Sequence, residues 1–215
     1  DLEEYPEFST RASKSGGVPS FTRPRCTGEV SVKDTRPLEI DLINFSNALQ
    51  ERSVNDAFMN AASPGVIAQF QPNDYYSDHR SYLYALAEAM KVEYEGIAKA
   101  GFVIQIDSPD LALGRHVMFK DKSDSEFVSM VELHIEALNH ALENIPAEQL
   151  RLHVCWGNYQ GPHHCDIEMK KILPAVLKAK PQALSFEGSN PRHSHEWTVF
   201  RDADIPEEKI LIPGV

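Results

Sequence analysis

The chain is predicted to be an α/β protein built on a parallel sheet. Short apolar, β-rich runs alternate along it with segments whose apolar residues recur every three or four positions. With 215 residues, 42% hydrophobic and 25% charged, it is long enough to bury one sizeable core, so one domain is expected. Most of the apolar runs also end in a polar cluster, and in parallel βα architectures those ends share one edge, where active sites are assembled.

Residues 1–20 are polar and contain Gly and Ser, so they are expected outside the core, leaving 21–215 as the folded domain. Strands are predicted at 25–32, 57–62, 101–107, 150–156, 183–187 and 210–213, and helices at 38–51, 81–100, 125–144 and 167–179. Within 81–100, Leu83, Leu86, Met90, Tyr94 and Ile97 share a face. Ser125 ahead of Glu126, and Asp166 ahead of Glu168, supply helix-start chemistry. Pro174 removes an N–H inside the last helix and should kink it. Six βα-like units follow one another without a short repeat or a coiled-coil heptad.

Composition narrows the function. The longest apolar stretches are broken by charge too early to span a membrane, and the start Asp1-Leu-Glu-Glu4 does not read as a signal peptide. Cys26, Cys155 and Cys165 are too few for a disulfide framework and suit reducing cytoplasm as buried thiols or metal ligands. A formal net charge of −11 without a Lys/Arg stripe argues against nucleic acid as a partner and favours small-molecule chemistry.

The run Leu150-Arg-Leu-His-Val-Cys-Trp156 sets His153 and Cys155 two residues apart. On a strand that spacing turns an imidazole and a thiol to one face, where both can meet a metal ion. Chance also places His and Cys two apart, so the pair is read together with Glu187. This carboxylate leaves the apolar run Ala183-Leu-Ser-Phe-Glu187 and is costly there unless paired. Polar clusters close four of the runs, at Ser63-Pro-Gly65, Asp107-Ser-Pro-Asp110, Cys155-Trp-Gly-Asn158 and Glu187-Gly-Ser-Asn190. Ordinary strand termination explains each of them singly.

Four segments, however, resemble one family in order. They are Ile104-Gln-Ile-Asp-Ser-Pro-Asp110, His153-Val-Cys-Trp-Gly-Asn-Tyr-Gln-Gly-Pro-His163, the stretch from Ala183 through Glu187 and Asn190-Pro-Arg-His193 to Trp197, and Leu211-Ile-Pro-Gly-Val215. They resemble the cobalamin-independent methionine synthase superfamily, and more closely its shorter single-barrel members, which include epoxyalkane:coenzyme M transferase. The resemblance covers the chain from about Tyr5 onward. It implies a TIM-type (β/α)8 barrel with Zn2+ at its carboxyl face. The family's first strand would precede Asp1, and its last strand, with a further cysteine ligand, would follow Val215. The barrel in this chain is therefore expected to be incomplete.

By the same resemblance His153, Cys155 and Glu187 are zinc ligands, and Asp107 clamps the amino group of an amino-acid thiol. The implied activity is methyl or alkyl transfer to a thiol, a methyltransferase of methionine biosynthesis acting on homocysteine with a methylated folate as donor. The alternatives are epoxide opening by coenzyme M and a non-catalytic barrel relative. Methionine synthases follow this Asp with Glu, where this chain has Ser108.

Ser108, Trp156, Asn158, Asn190 and Arg192 accompany Asp107 as candidate substrate contacts. Cys165 is weighed as a replacement fourth ligand against a plain helix-start residue. Cys26 is expected to be a buried thiol. His193 and His195 are spaced like a ligand pair but fit a helix start after Pro191. Arg115, His116 and Arg192 are set between anion binding and solvated surface. Trp156 and Trp197 are set between pterin stacking and aromatic packing.

Overall fold

A computed structural model describes residues 4–14, 23–50, 52–158 and 161–214. Five strands form one all-parallel sheet in chain order: β1 (Phe58–Ala62), β2 (Val103–Asp107), β3 (Leu150–Val154), β4 (Ala183–Phe186) and β5 (Ile210–Pro213). Between and before them lie α1 (Pro6–Lys14), α2 (Arg36–Leu49), α3 (Pro64–Phe70), α4 (His79–Lys99), α5 (Gly114–Val117), α6 (Asp124–Ala141), α7 (Met169–Val176) and α8 (Trp197–Asp202). The α/β class with a parallel sheet is thus as the alternation predicts. Among the described residues β1 and β5 are the two edges. No helix among them is long and apolar enough to cross a membrane.

Strand alternation decides which side chains are covered. Ile104, Ile106, Leu152, Val154, Leu184 and Phe186 turn to one side and are at most 3% exposed. They meet Leu83, Leu86 and Ile97 of α4 and Phe127, Val131 and Leu138 of α6 in one core. Each such side chain contributes about 1.5–3 kcal/mol on burial, more than any helix cap, so packing rather than propensity holds the layers. The intervening strand residues Gln105, Asp107, Arg151, His153 and Ser185 are half-buried on the other side. There Arg151 donates to Gln105 Oε1 at 3.2 Å and stands 4.5 Å over the Phe58 ring.

Two expectations need correction. Residues 25–32 do not form a strand; only Cys26 makes a lone parallel bridge, to Asn73. Gly28 and Glu29 interrupt the run, and its backbone bonds elsewhere, with Val30 N donating to the Tyr76 hydroxyl at 2.9 Å. The six expected units are therefore five strands. The Ser63-Pro-Gly65 cluster closes β1 as expected and also opens α3: Ser63 is its N-cap, accepting from Val66 N, and Pro64 fills the first helical position. Helix α6 starts earlier than expected, at a complete capping box between Ser123 and Glu126. Pro174 lies inside α7, which ends at Val176 in tight i→i+3 bonds from Lys178 and Ala179.

Candidate metal centre

The sheet register lines up the residues that matter. Asp107 at the end of β2 pairs with His153 of β3, and His153 pairs with Ser185 of β4. Ser108 N donates to His153 O at 2.9 Å, which ties the loop after β2 to β3. At this carboxyl edge Asp107, His153 and Cys155 bring one ligand atom each within 4.8 Å of one another. Asp107 Oδ1 lies 3.9 Å from His153 Nε2. Glu187 stands outside that trio but lines a cavity of about 450 Å3 with His153, Phe186 and Asn190. Gly157 shapes the turn behind Cys155. Its φ of +76° suits glycine, and a Cβ there would sit 2.7 Å from Leu113 Cδ2.

The electrostatics of the trio are those of a site short of positive charge. Burial pushes the Cys155 thiol up to about 12, and the charges of Asp107, Glu187 and Asp110 add to this, against a hydrogen bond from the Gly157 backbone. Burial also raises Asp107, partly offset by His153. His153 Nδ1 and Glu187 Oε2 are buried without a hydrogen-bond partner in the protein, a state that costs free energy unless something engages them. A divalent cation answers each of these features, and an N, S and O donor set suits zinc. The residues therefore fit a zinc ion.

The other predicted residues fall in several places. Asn190 lines the Glu187 cavity, whereas Asn158 lines a different one with His116 and Cys165. Ser108 is fully buried and its hydroxyl has no partner. Trp156 is buried too, donating to Ile167 O at 2.8 Å and stacked on His193 with centroids 3.8 Å apart, so it packs the fold. Trp197 and Arg192 are exposed. Arg115 donates to the carbonyls of Phe119 and Lys120, so its guanidinium holds a loop. Cys165 gathers with His116 and His164 and not with Cys155. Cys26 is half-buried. His195 is exposed, while His193 is buried ahead of the short turn that leads into α8.

Two buried networks escaped the sequence reading. In the first, Asp166 Oδ2 meets both His163 Nδ1, at 2.7 Å, and His193 Nε2, at 2.8 Å, which joins the loop after β3 to the loop after β4. Glu196 completes it by accepting from Met169 N. In the second, the Ser63 hydroxyl donates to Asp110 Oδ1, Asp110 Oδ2 meets His134 Nδ1, and His134 Nε2 meets His79 Nε2, each within 2.8 Å. Burial, with His134 beside it, pulls His79 down to about 4. In this second network side-chain spacings of 24 to 55 residues connect the groups, and no short motif signals them.

The first network predicts a pH-dependent stability. Burial opposes charge on His193, but its hydrogen bond to Asp166 and the Glu196 carboxylate 3.7 Å from its Nδ1 outweigh it and raise the ring from 6.5 to about 9. A raised imidazole stabilises fully below its unfolded value and loses that contribution as pH climbs through the folded one. Unfolding free energy is expected to fall by on the order of 3 kcal/mol between pH 6.5 and 9. His193→Gln should flatten the slope in urea titrations; an unchanged slope in the variant would reject this assignment.

No protein-family model matches the chain. It is 24% identical over 159 residues to a methionine synthase of Saccharolobus solfataricus, covering 73% of this chain and 42% of that protein. It is 30% identical over 112 residues to methionine synthases of Saccharolobus islandicus, covering 51% of this chain and 30% of theirs. The chain thus spans less than half the length of these curated relatives. Among solved structures, a B12-independent methionine synthase from Shewanella sp. W3-18-1, in complex with selenomethionine, superposes with a TM-score of 0.60 at 18% identity, over 87% of this chain and 51% of that one. These likenesses support the resemblance carried by the ordered motifs: the chain is similar in sequence to archaeal methionine synthases and in fold to a B12-independent methionine synthase.

Proposed function

We propose that the chain carries part of a zinc-dependent catalytic (β/α)8 barrel, residues 21–215, that transfers a methyl group to a thiol in the cytoplasm, as a methionine synthase does with homocysteine and a methylated folate. The observation that carries this reading is the gathering of Asp107, His153 and Cys155 at the carboxyl edge, with the partnerless buried oxygen of Glu187 beside them. His153, Cys155 and Glu187 would hold the ion. When bound, it supplies the Lewis acidity that keeps a substrate thiol ionised near neutral pH.

The chain's own groups then have separate tasks. Asp107 is half-exposed at the mouth, where its carboxylate can accept from the ammonium of an amino-acid thiol. The cavity of about 450 Å3 between His153 and Asn190 has room for such a substrate. Asn190 lines it on the loop after β4 and accepts at Oδ1 from the Arg192 backbone N–H at 3.1 Å. Ser108 in place of the family's Glu leaves Asp107 without a second carboxylate, which favours trying a thiol that lacks an amino group as well.

The test is zinc per chain by elemental analysis for wild type and Cys155→Ser, with methionine formation from homocysteine and methyltetrahydrofolate, and thioether formation from coenzyme M and an epoxide, followed in parallel. A loss of about one zinc ion per chain in the variant relative to wild type, with either product formed by the wild type, is the expected result. Absence of retained zinc from the wild type would sink the proposal.

A further inference from the structure

We propose a second divalent-metal site, built by His116, His164 and Cys165, that binds a zinc-like ion independently of the Cys155 centre. His116 belongs to α5, whereas His164 and Cys165 are neighbours on the loop after β3, so two separate segments converge there. One nitrogen from each histidine and the Cys165 sulfur lie within 4.8 Å of one another. A carboxylate is also at hand, with Glu4 Oε2 2.9 Å from His164 Nε2. Two imidazoles, a thiolate and a carboxylate form a donor set that selects zinc-like ions over magnesium or calcium.

The geometry allows closure. With bonds of about 2.0–2.3 Å, neighbouring donors in a tetrahedral site stand about 3.3–3.6 Å apart. The trio therefore closes by roughly an ångström, within reach of His164 and Cys165 on a partly exposed loop. Access is open as well, since His116 and Cys165 line a cavity of about 580 Å3 that includes Leu113 and Asn158.

Aromatic packing is the competing account. His116 stacks on His163 at 5.8 Å and meets His164 edge-on at 5.5 Å, and Tyr5 meets His164 edge-on at 5.1 Å. Packing explains the rings. It gives no reason for a thiol to sit among the imidazole nitrogens.

Cobalt(II) serves as the probe, because a thiolate ligand gives it a charge-transfer absorption that nitrogen and oxygen ligands do not. The Cys155→Ser chain, which lacks the first centre's thiol, should bind one cobalt ion with that absorption. Cys155→Ser with Cys165→Ser should lose it, and Cys155→Ser with His116→Asn should bind at least about tenfold more weakly. No thiolate absorption in Cys155→Ser, or absorption that persists in the double cysteine variant, overturns the site. Circular dichroism confirms that each variant is folded. Should Cys155→Ser fail to fold, zinc stoichiometry decides: two ions per wild-type chain and one in Cys165→Ser are expected, and equal stoichiometry in the two rejects the proposal. The Cys165→Ser chain separately tests the Cys155 centre, so either site can fail without the other.

Discussion

Gly65→Ala is expected to destabilise the chain by about 3–5 kcal/mol, a large loss for the addition of one methyl group. A Cβ at Gly65 would overlap Asp110 Oδ2 and stand 2.5 Å from His134 Nδ1. These are the two partners of a 2.8 Å contact, and each side chain is only 2% exposed. Overpacking alone costs about 1–3 kcal/mol when neighbours can yield. Here they cannot yield separately, because Asp110 also accepts from Ser63, and Ser63 caps α3 through Val66. Displacing the carboxylate leaves a buried imidazole and a buried hydroxyl without their acceptor. Urea denaturation at constant m-value measures the effect; a loss below about 1 kcal/mol would show that α3 can shift away and that the network is not rigid.

In the metal-free chain Cys155 is expected to react with iodoacetamide at pH 8 about 40-fold more slowly than a cysteine of ordinary pKa. A thiol at about 12 in place of 9 has roughly a thousandfold less thiolate. The more basic thiolate is the better nucleophile, which recovers about 20-fold. Its labelling rate, followed by mass spectrometry of the peptide, should keep rising about tenfold per pH unit beyond pH 9. A plateau below that would mean that a positive group other than a metal already serves the site.

Much of this architecture is legible in the sequence. The strands around 57–62, 101–107, 150–156, 183–187 and 210–213 are found where apolar β-rich runs place them, because buried strands must carry such residues. The four long helices follow from their apolar spacing, with ends moved by a few residues, as at Ser123, where the capping box lies two residues before the expected start. Period-two geometry brings His153 and Cys155 together, and the structure joins Asp107 to them through the register of β2 and β3. The strand expected at 25–32 failed because two valines do not outweigh Gly28 and Glu29. Asp166 with His193, and Asp110 with His134, were illegible for another reason: each pair meets only after two loops or helices have packed, and nothing local in either segment marks it.

The order of the strands bears on how the chain is made. Each strand pairs with the one just before it in the chain, so a nascent sheet grows by accretion, and every addition covers one open parallel edge while creating another. Phe58 on β1 and Ile210 on β5 stay about half exposed at the two flanks. Until a neighbour or a further strand docks there, those flanks are the adhesive parts of the molecule, and crowding during synthesis will act on them first.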